Sequence, residues 1–336
     1  MAMATQGVSR DEVRAAWIQA ARLRTLPLAA SGSFIAAGIA AHLHVFRVEV
    51  FALMLVVSML LQVIANFADD YGDLAHGLDD ETRVGPKRGM QRGIITPAQM
   101  KCALIGMCAL TFLLGCALIA VAFTSGPTLT DDTWKDAALF VVLGIVSIAA
   151  AVLYTVGPHP YGYLGLGDIV SAFFFGIVAV VGGSFLYLHT FEPLTLVAGI
   201  ALGLPVAAVM NINNMRDSTA DAAKGKHTIA NRLYEAGMRA TGGDALAGER
   251  HMRAYHRALV YTSLLLFCVF IVLSRGIWLA TLVDLLVVGF ASIPLVRATQ
   301  GVCAQLDHTK LDRFMAPTSM GTVLLALGVT IALVFA

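Results

Sequence analysis

Polar residues in this chain are confined to short stretches between long apolar blocks, and the block lengths carry the first reading. Nine blocks approach the roughly 20 residues a helix needs to cross a bilayer core. They are Leu26–Leu43, Val50–Asn66, Ala98–Phe123, Ala137–Tyr154, Gly167–Leu188, Pro193–Ile212, Ala258–Leu273, Ile277–Val296 and Pro317–Phe335. The pattern predicts an all-α, polytopic membrane helical bundle of about nine transmembrane helices. Ahead of the first block, Ser9-Arg-Asp-Glu12 reads as a capping box opening a short helix. Trp17 and Ile18 share one side of that helix, and Arg10, Arg14 and Arg22 charge it, as suits a segment in the headgroup layer. Residues 1–25 then form an N-terminal segment, and residues 26–336 a single membrane domain.

Composition agrees with this reading. Of 336 residues, 58% are hydrophobic and 13% charged, against about 45–50% and about 25% in a soluble domain. A net charge of +1, with acidic residues mixed into the basic loops, leaves no footprint for nucleic acid. The five cysteines form no CxxC pair, and most sit inside apolar blocks as small packing residues. No short apolar stretch followed by a small-residue cleavage site marks a cleavable signal peptide.

Charge does set the orientation. With the N-terminus inside, segments 1–25, 67–101, 155–166, 213–257 and 297–316 are cytoplasmic, and they hold 20 of the 23 Lys and Arg residues. Only Arg47, Lys135 and Arg275 fall on the other side. The two long cytoplasmic loops also resemble each other. Each follows a helix ending in asparagine (Asn66; Asn211, Asn213 and Asn214), opens with spaced aspartates and continues into Lys, Arg and Gly. This pattern predicts a two-fold internal repeat with a site at its interface.

The first loop begins with Asp69, Asp70 and Asp73 and continues to Asp79, Asp80 and Glu81; the second carries Asp217 and Asp221. If the preceding helices continue, Asp70 and Asp73, Asp69 and Asp73, and Asp217 and Asp221 share faces at i,i+3 or i,i+4. Two carboxylates about 4 Å apart repel by about 4 kcal/mol at an effective dielectric near 20. A solvated charged loop explains one such cluster. Two clusters at matching places point to a cation that offsets the repulsion, and Mg²⁺ suits oxygen ligands that bridge to phosphate. Arg83, Lys87, Arg88 and Arg92 follow the first cluster, and Arg216, Lys224 and Lys226 surround the second. Aspartates for metal and cations for oxygens, at the mouth of an apolar bundle, describe a site for an amphiphile with a diphosphate head and a hydrocarbon tail. For any single basic residue, simple positive-inside topology is an equal explanation. Asp284, alone inside a block, has no assigned partner.

Asp69-Asp70-xx-Asp73 and Asp217-xxx-Asp221 resemble the paired aspartate motifs of the UbiA superfamily of prenyltransferases. Arg22-Leu-Arg-Thr-Leu-Pro27, Arg83-Val-Gly-Pro-Lys-Arg-Gly-Met-Gln91, Tyr154-Thr-Val-Gly157, Pro160-Tyr-Gly-Tyr163, Gly165-Leu-Gly-Asp168 and Asn211-Ile-Asn-Asn-Met-Arg-Asp217 are similar to its 1,4-dihydroxy-2-naphthoate polyprenyltransferase branch. The resemblance runs in order along nearly the whole chain. It implies transfer of a polyprenyl chain from polyprenyl diphosphate to that aromatic acceptor, with loss of CO₂, at the inner membrane and from the cytoplasmic side. Asp70, Asp73, Asp217 and Asp221 would be the catalytic metal ligands, with Asp69 added to the metal set. Arg83, Lys87, Arg88, Arg216, Lys224 and Lys226 would hold the diphosphate, and Arg22, Arg24, Asn66 and Tyr154 the acceptor. The chain departs from the family pattern in having Asp69 where the family has Asn, and Gly77 where many members have aspartate; Asp79 is the replacement candidate. Other acceptors within the superfamily (hydroxybenzoate, homogentisate, haem or chlorophyllide) stay open. A CDP-alcohol phosphotransferase would need an Asp-Gly-x-x-Ala-Arg run that the chain lacks. A transporter fits the repeat, although it would place its charged site at midplane rather than at one surface.

Overall fold

A computed structural model describes residues 8–77, 87–124 and 133–335. Arg83 and the Asp79-Asp80-Glu81 run lie outside the described residues. The described residues are helical almost throughout. In chain order, α1 is Arg10–Ala21, α2 Leu26–His42, α3 Val48–Ala75, α4 Pro97–Thr124 and α5 Thr133–Leu153. Next come α6 (Gly167–Ala172) and α7 (Gly183–Leu188), joined into one rod by a π-helix over Phe173–Gly182. The chain ends with α8 (Leu194–Ala223), α9 (Ile229–Ala240), α10 (Ala245–Arg275), α11 (Leu279–Ala304) and α12 (Met315–Val334). Eight helices among the described residues are long and apolar enough to span a membrane by themselves, His308–Val334 counting as one. The ninth, α2, qualifies together with α1, from which it is bent by 45°. The chain is therefore a multi-pass helical membrane protein.

Local chemistry accounts for the first bend. Ser9 accepts from the Glu12 backbone NH, and the Glu12 carboxylate accepts from the Ser9 NH at 2.7 Å, so the capping box forms. Arg22 ends α1 in the left-handed region (φ 52°), and Pro27 enters the first turn of α2. The headgroup-layer segment is thereby docked on the bundle: Ala16 and Ala20 are buried, and Trp17 meets Phe67 of α3 edge to face.

Helices bury one another where glycine lets backbones approach. A Cβ on Gly176 of the π-helix would stand 2.3 Å from the Gly199 carbonyl, and one on Gly203 2.5 Å from the Ala172 carbonyl. The π-helix therefore lies directly against α8, whose apolar residues are the most buried of any span. By contrast, α5 has no fully buried residue, and Leu139, Val142 and Ile145 are exposed on it as a lipid-facing surface.

The opening of each aspartate loop of the sequence reading proves to be helix. α3 continues to Ala75 and α8 to Ala223, so each cluster rides on the last turns of a membrane helix. The stretch Glu235–His251 closes α9 onto α10 as a tight helical hairpin. There, Cβ atoms on Gly237 and Gly248 would collide with Ala247 and Tyr234.

Candidate functional site at the carboxylate end of the bundle

The continued helices make the expected i,i+3 and i,i+4 faces real. Asp70 and Asp73 are buried on α3, and Asp221 on α8. The side chain that gathers the first cluster is Arg88. Its Nη2 donates to Asp69 Oδ2 at 2.8 Å, its Nη1 to Asp73 Oδ2 at 3.1 Å and to the Asp69 carbonyl at 3.0 Å, and its Nε stands 3.1 Å from Asp70 Oδ1. Arg22, held at the α1–α2 bend, adds a contact to Asp69 and one of 3.0 Å to Asp70. Tyr163 donates to the other Asp73 oxygen at 3.2 Å.

The second cluster is organised by Arg216. Its guanidinium grips Asp217 with two bonds of 2.8 and 2.6 Å and donates to Asn213 Oδ1 at 2.7 Å. It also reaches Asp312 at 2.7 Å, just ahead of α12. Asp312 faces Arg24 on its other oxygen at 3.7 Å. Lys226 Nζ stands 3.4 Å from Asp221 Oδ2, an oxygen that is buried without a hydrogen bond. Burial by itself pushes the Lys226 ammonium down. The surrounding carboxylates, Asp221 foremost, more than reverse this, so its pKa lies above the ordinary lysine value.

Beneath this charged rim lies a cavity of about 320 Å³. Arg22, Asn66, Asp69, Tyr154 and Asn213 line its upper part, and Met54, Leu118, Phe140 and Leu186 its far end. From Asp69 to Met54 along α3 it runs about 22 Å at 1.5 Å per residue. Asn66 donates to the Ala21 carbonyl at 2.9 Å and accepts from Gln62 at 3.0 Å, so both its polar atoms are fixed from α1 and α3. The Tyr154 hydroxyl, pointing to the same space, has only the Met210 sulfur at 3.4 Å, a weak acceptor.

The site residues predicted from sequence separate into two groups. Asp69, Asp70, Asp73, Arg88 and Arg22 converge, as do Arg216, Asp217, Asp221 and Lys226, while Asn66 and Tyr154 line the cavity. Arg24 is not among the cavity-lining residues; it reaches Asp312 instead. Lys87 is exposed, with its carbonyl accepting from Gln19, and Lys224 is half-buried.

Sequence reasoning missed three polar groups. Asp312 sits in a short polar connection with no spacing signal. Asp168 had been read only as part of the Gly-Leu-Gly-Asp stretch. It is buried and accepts from Asn214 at 2.8 Å and from Tyr255 at 3.2 Å, tying α6 to the second cluster. Tyr163 belongs to the first cluster. Asp284, which lacked a partner, faces Arg275 at 3.5 Å toward the opposite end of the bundle.

The donors suit a hard divalent cation: they are oxygens from aspartates on two helix ends, and one of them, Asp221 Oδ2, is buried and unbonded. The described carboxylates are turned onto arginines and Lys226 rather than onto one another, so no three acidic, His or Cys side chains among the described residues form a metal-holding group.

A polytopic helical protein with aspartates and cations crowded at one end of an apolar cavity belongs to the class of membrane enzymes that handle phosphorylated lipids. The chain belongs to the UbiA prenyltransferase family, whose pattern matches residues 26–320. It is 38% identical to a 1,4-dihydroxy-2-naphthoate octaprenyltransferase of Escherichia coli (strain K12), over 96% of this chain and 95% of that protein. To the protein of the same name from Haemophilus influenzae it is 39% identical, over 78% of this chain and 79% of the relative. The fold is also that of a solved digeranylgeranylglyceryl phosphate synthase, with a TM-score of 0.58 at 13% identity, covering 97% of this chain and all of the other.

Proposed function

We propose that this chain transfers a polyprenyl group from its diphosphate to 1,4-dihydroxy-2-naphthoate with loss of CO₂, forming a demethylmenaquinol, the hydroquinone form of a demethylmenaquinone. The observation that carries the reading is the placement of two aspartate clusters, with their cations, at the head of a long apolar cavity. The names of the relatives, at high coverage, supply the acceptor. The charge asymmetry of the loops favours an inner-membrane protein with its N-terminus and active site on the cytoplasmic side.

In this reading the diphosphate lies among Arg88, Arg216 and Lys226, with the hydrocarbon tail in the cavity. Asp70, Asp73, Asp217 and Asp221, with Asp69 beside them, would hold Mg²⁺, which when bound supplies Lewis-acid stabilisation of the departing diphosphate. The allylic C–O bond breaks with its electron pair leaving on the diphosphate, and the fixed cations stabilise that charge. A ring carbon of the acceptor then donates its electron pair to the allylic cation, and the acceptor's carboxyl group departs as CO₂. Arg22, which lines the cavity, would face that carboxylate, and the Tyr154 hydroxyl, with only the Met210 sulfur as partner, would serve an acceptor oxygen. The apolar walls keep water from quenching the cation.

Mass spectrometry of lipid products from purified protein, given Mg²⁺, a polyprenyl diphosphate and a panel of aromatic acceptors, tests the proposal. A decarboxylated, prenylated naphthohydroquinone, seen as such or as the quinone that air makes from it, and disappearing with EDTA, is the expected product. A product with a different acceptor would replace the acceptor and keep the mechanism. Absence of any product from folded protein would remove the reading altogether.

A further inference from the structure

A glycine inside a helix weakens it, and close packing usually explains its presence. Gly183 is such a case: a Cβ there would stand 2.9 Å from the Met54 sulfur and 3.0 Å from the Ala36 Cβ. Three glycines of the cavity wall have no such neighbour. Gly115 of α4, Gly144 of α5 and Gly182 of the π-helix all line the cavity. A Cβ on Gly115 or Gly144 would meet no atom of the described residues within 4 Å. One on Gly182 would meet only Phe140 and Leu143, two other cavity-lining side chains, at 3.8 and 3.9 Å. These are ordinary contact distances, so helix packing does not call for glycine at any of the three. Gly106 and Gly289 are equally unhindered, but they are exposed and are not among the cavity-lining residues.

The three positions sit deep in the cavity. Gly144 is one helical turn above Phe140, and Gly115 just under one turn above Leu118, both of which belong to the far end. Gly182 faces Phe140 and adjoins Gly183, which packs on Met54. Hydroxyls in the same wall are turned away from the space: Thr111 donates to the Met107 carbonyl and Ser147 to the Leu143 carbonyl, each at 2.7 Å. Gly144 lies about 15 Å down α5 from Tyr154 at 1.5 Å per residue. With C–C bonds of about 1.5 Å set in a zigzag, a geranyl tail spans about 10 Å and an octaprenyl tail about 40 Å. The short tail ends above the glycines, and the long one reaches them.

We propose that Gly115, Gly144 and Gly182 determine the length of prenyl tail the enzyme accepts, by keeping the deep part of the cavity wide enough for a long tail. The inference rests on the prenyl-transfer reading given above and deepens it from the class of donor to the length of its tail. A side chain at Gly115 or Gly144 would project into the space that the long tail occupies. It would leave the charged rim, Asn66 and Tyr154 untouched, so a short donor would still bind and react.

Turnover of geranyl and octaprenyl diphosphates by the purified full chain in detergent, with 1,4-dihydroxy-2-naphthoate as acceptor, tests the inference. Each variant is compared with wild type on the same donor, so the differing solubility of the two donors cancels. Gly144→Leu and Gly115→Leu are each expected to keep kcat/KM for geranyl diphosphate within about twofold of wild type and to lose at least about tenfold for octaprenyl diphosphate, the scale on which a hydrophobic pocket discriminates by small changes in bulk. Retained geranyl transfer also shows that the variant is folded. Gly106→Leu and Gly289→Leu, on the exposed surface, should match wild type on both donors. An unchanged ratio of octaprenyl to geranyl turnover in both cavity variants overturns the proposal and leaves prenyl transfer intact. This holds whether the variants are fully active or lose both donors alike, since equal loss assigns the glycines to packing. Wild-type protein that turns over neither donor removes the prenyl-transfer reading and this inference together.

Discussion

Asp221 shows what a single carboxylate does at this site. It is buried beside one ammonium, and one of its oxygens makes no hydrogen bond, so its charge is costly at rest and becomes useful when a cation arrives. Asp221→Asn keeps the shape and removes the charge. Turnover should fall by roughly 100-fold at saturating prenyl diphosphate, the scale of losing one electrostatic contact to the reacting groups. The unfolding temperature of the same variant should fall only modestly, because Asp73, Asp69 and Asp217 still compensate the buried Lys226 ammonium, and a full-rate Asp221→Asn enzyme would take this residue out of the mechanism. The Arg275–Asp284 pair is a different case. At 3.5 Å, with Arg275 also donating to the Ala332 carbonyl, it ties the ends of α10 and α12 to α11. Arg275→Met leaves Asp284 buried and uncompensated and should cost about 3 kcal/mol of stability. The double change Arg275→Met with Asp284→Leu should recover much of that loss. Denaturant unfolding in detergent that found the double variant as unstable as the single one would assign the pair some other role.

At the scale of elements, helix ends position the chemistry and glycines set how closely those ends approach. Gly72 lies between Asp70 and Asp73 on α3, where a Cβ would stand 2.3 Å from the Thr155 carbonyl oxygen. Thr155 in turn donates to the Ala68 carbonyl at 2.8 Å, so the turn after α5 clasps α3 at the level of the aspartates. Gly72→Ala must push that turn away and should cost about 1–3 kcal/mol. Turnover should drop more than melting temperature does, because the displaced segment carries Tyr154 into the cavity wall. Equal loss of both, or of neither, would mean that the clasp does not position the site. The π-helix works on the same scale. It wraps loosely enough to present Phe174, Phe175 and Val178 to the cavity on one side while Gly176 meets α8 on the other.

Over the whole molecule, polar chemistry gathers at one end and apolar surface wraps the rest. Large hydrophobic side chains such as Leu282, Leu286 and Phe290 on α11 remain exposed, as lipid contact requires. Both aspartate clusters and the Asp312 connection lie on the same end, the one proposed to face the cytoplasm. Lys224→Cys and Lys135→Cys, each placed in a cysteine-free background, should label from opposite faces of sealed membrane vesicles. Lys224→Cys should react from the cytoplasmic side. Labelling of both from one face would overturn the number of spans between them, and labelling of Lys224→Cys from the outer face would move the active site across the membrane.

Much of this was determined by sequence alone, for reasons that are local. Bilayer thickness demands long apolar blocks, so the spans were legible, as were the Ser9–Glu12 capping box and the two aspartate clusters with their helical spacing. The continuation of α8 to Ala223 and the start of α10 at Ala245 were not legible, because polar helix beyond the membrane reads as loop when hydropathy is the guide. Tertiary structure alone decided the pairings. Arg88 as the hub of three carboxylates, Asp312 between Arg24 and Arg216, and Asp168 holding Asn214 all join positions far apart in the chain. Spacing reports which residues share a helix face; which guanidinium meets which carboxylate depends on how separate helices pack, and only the folded bundle sets that.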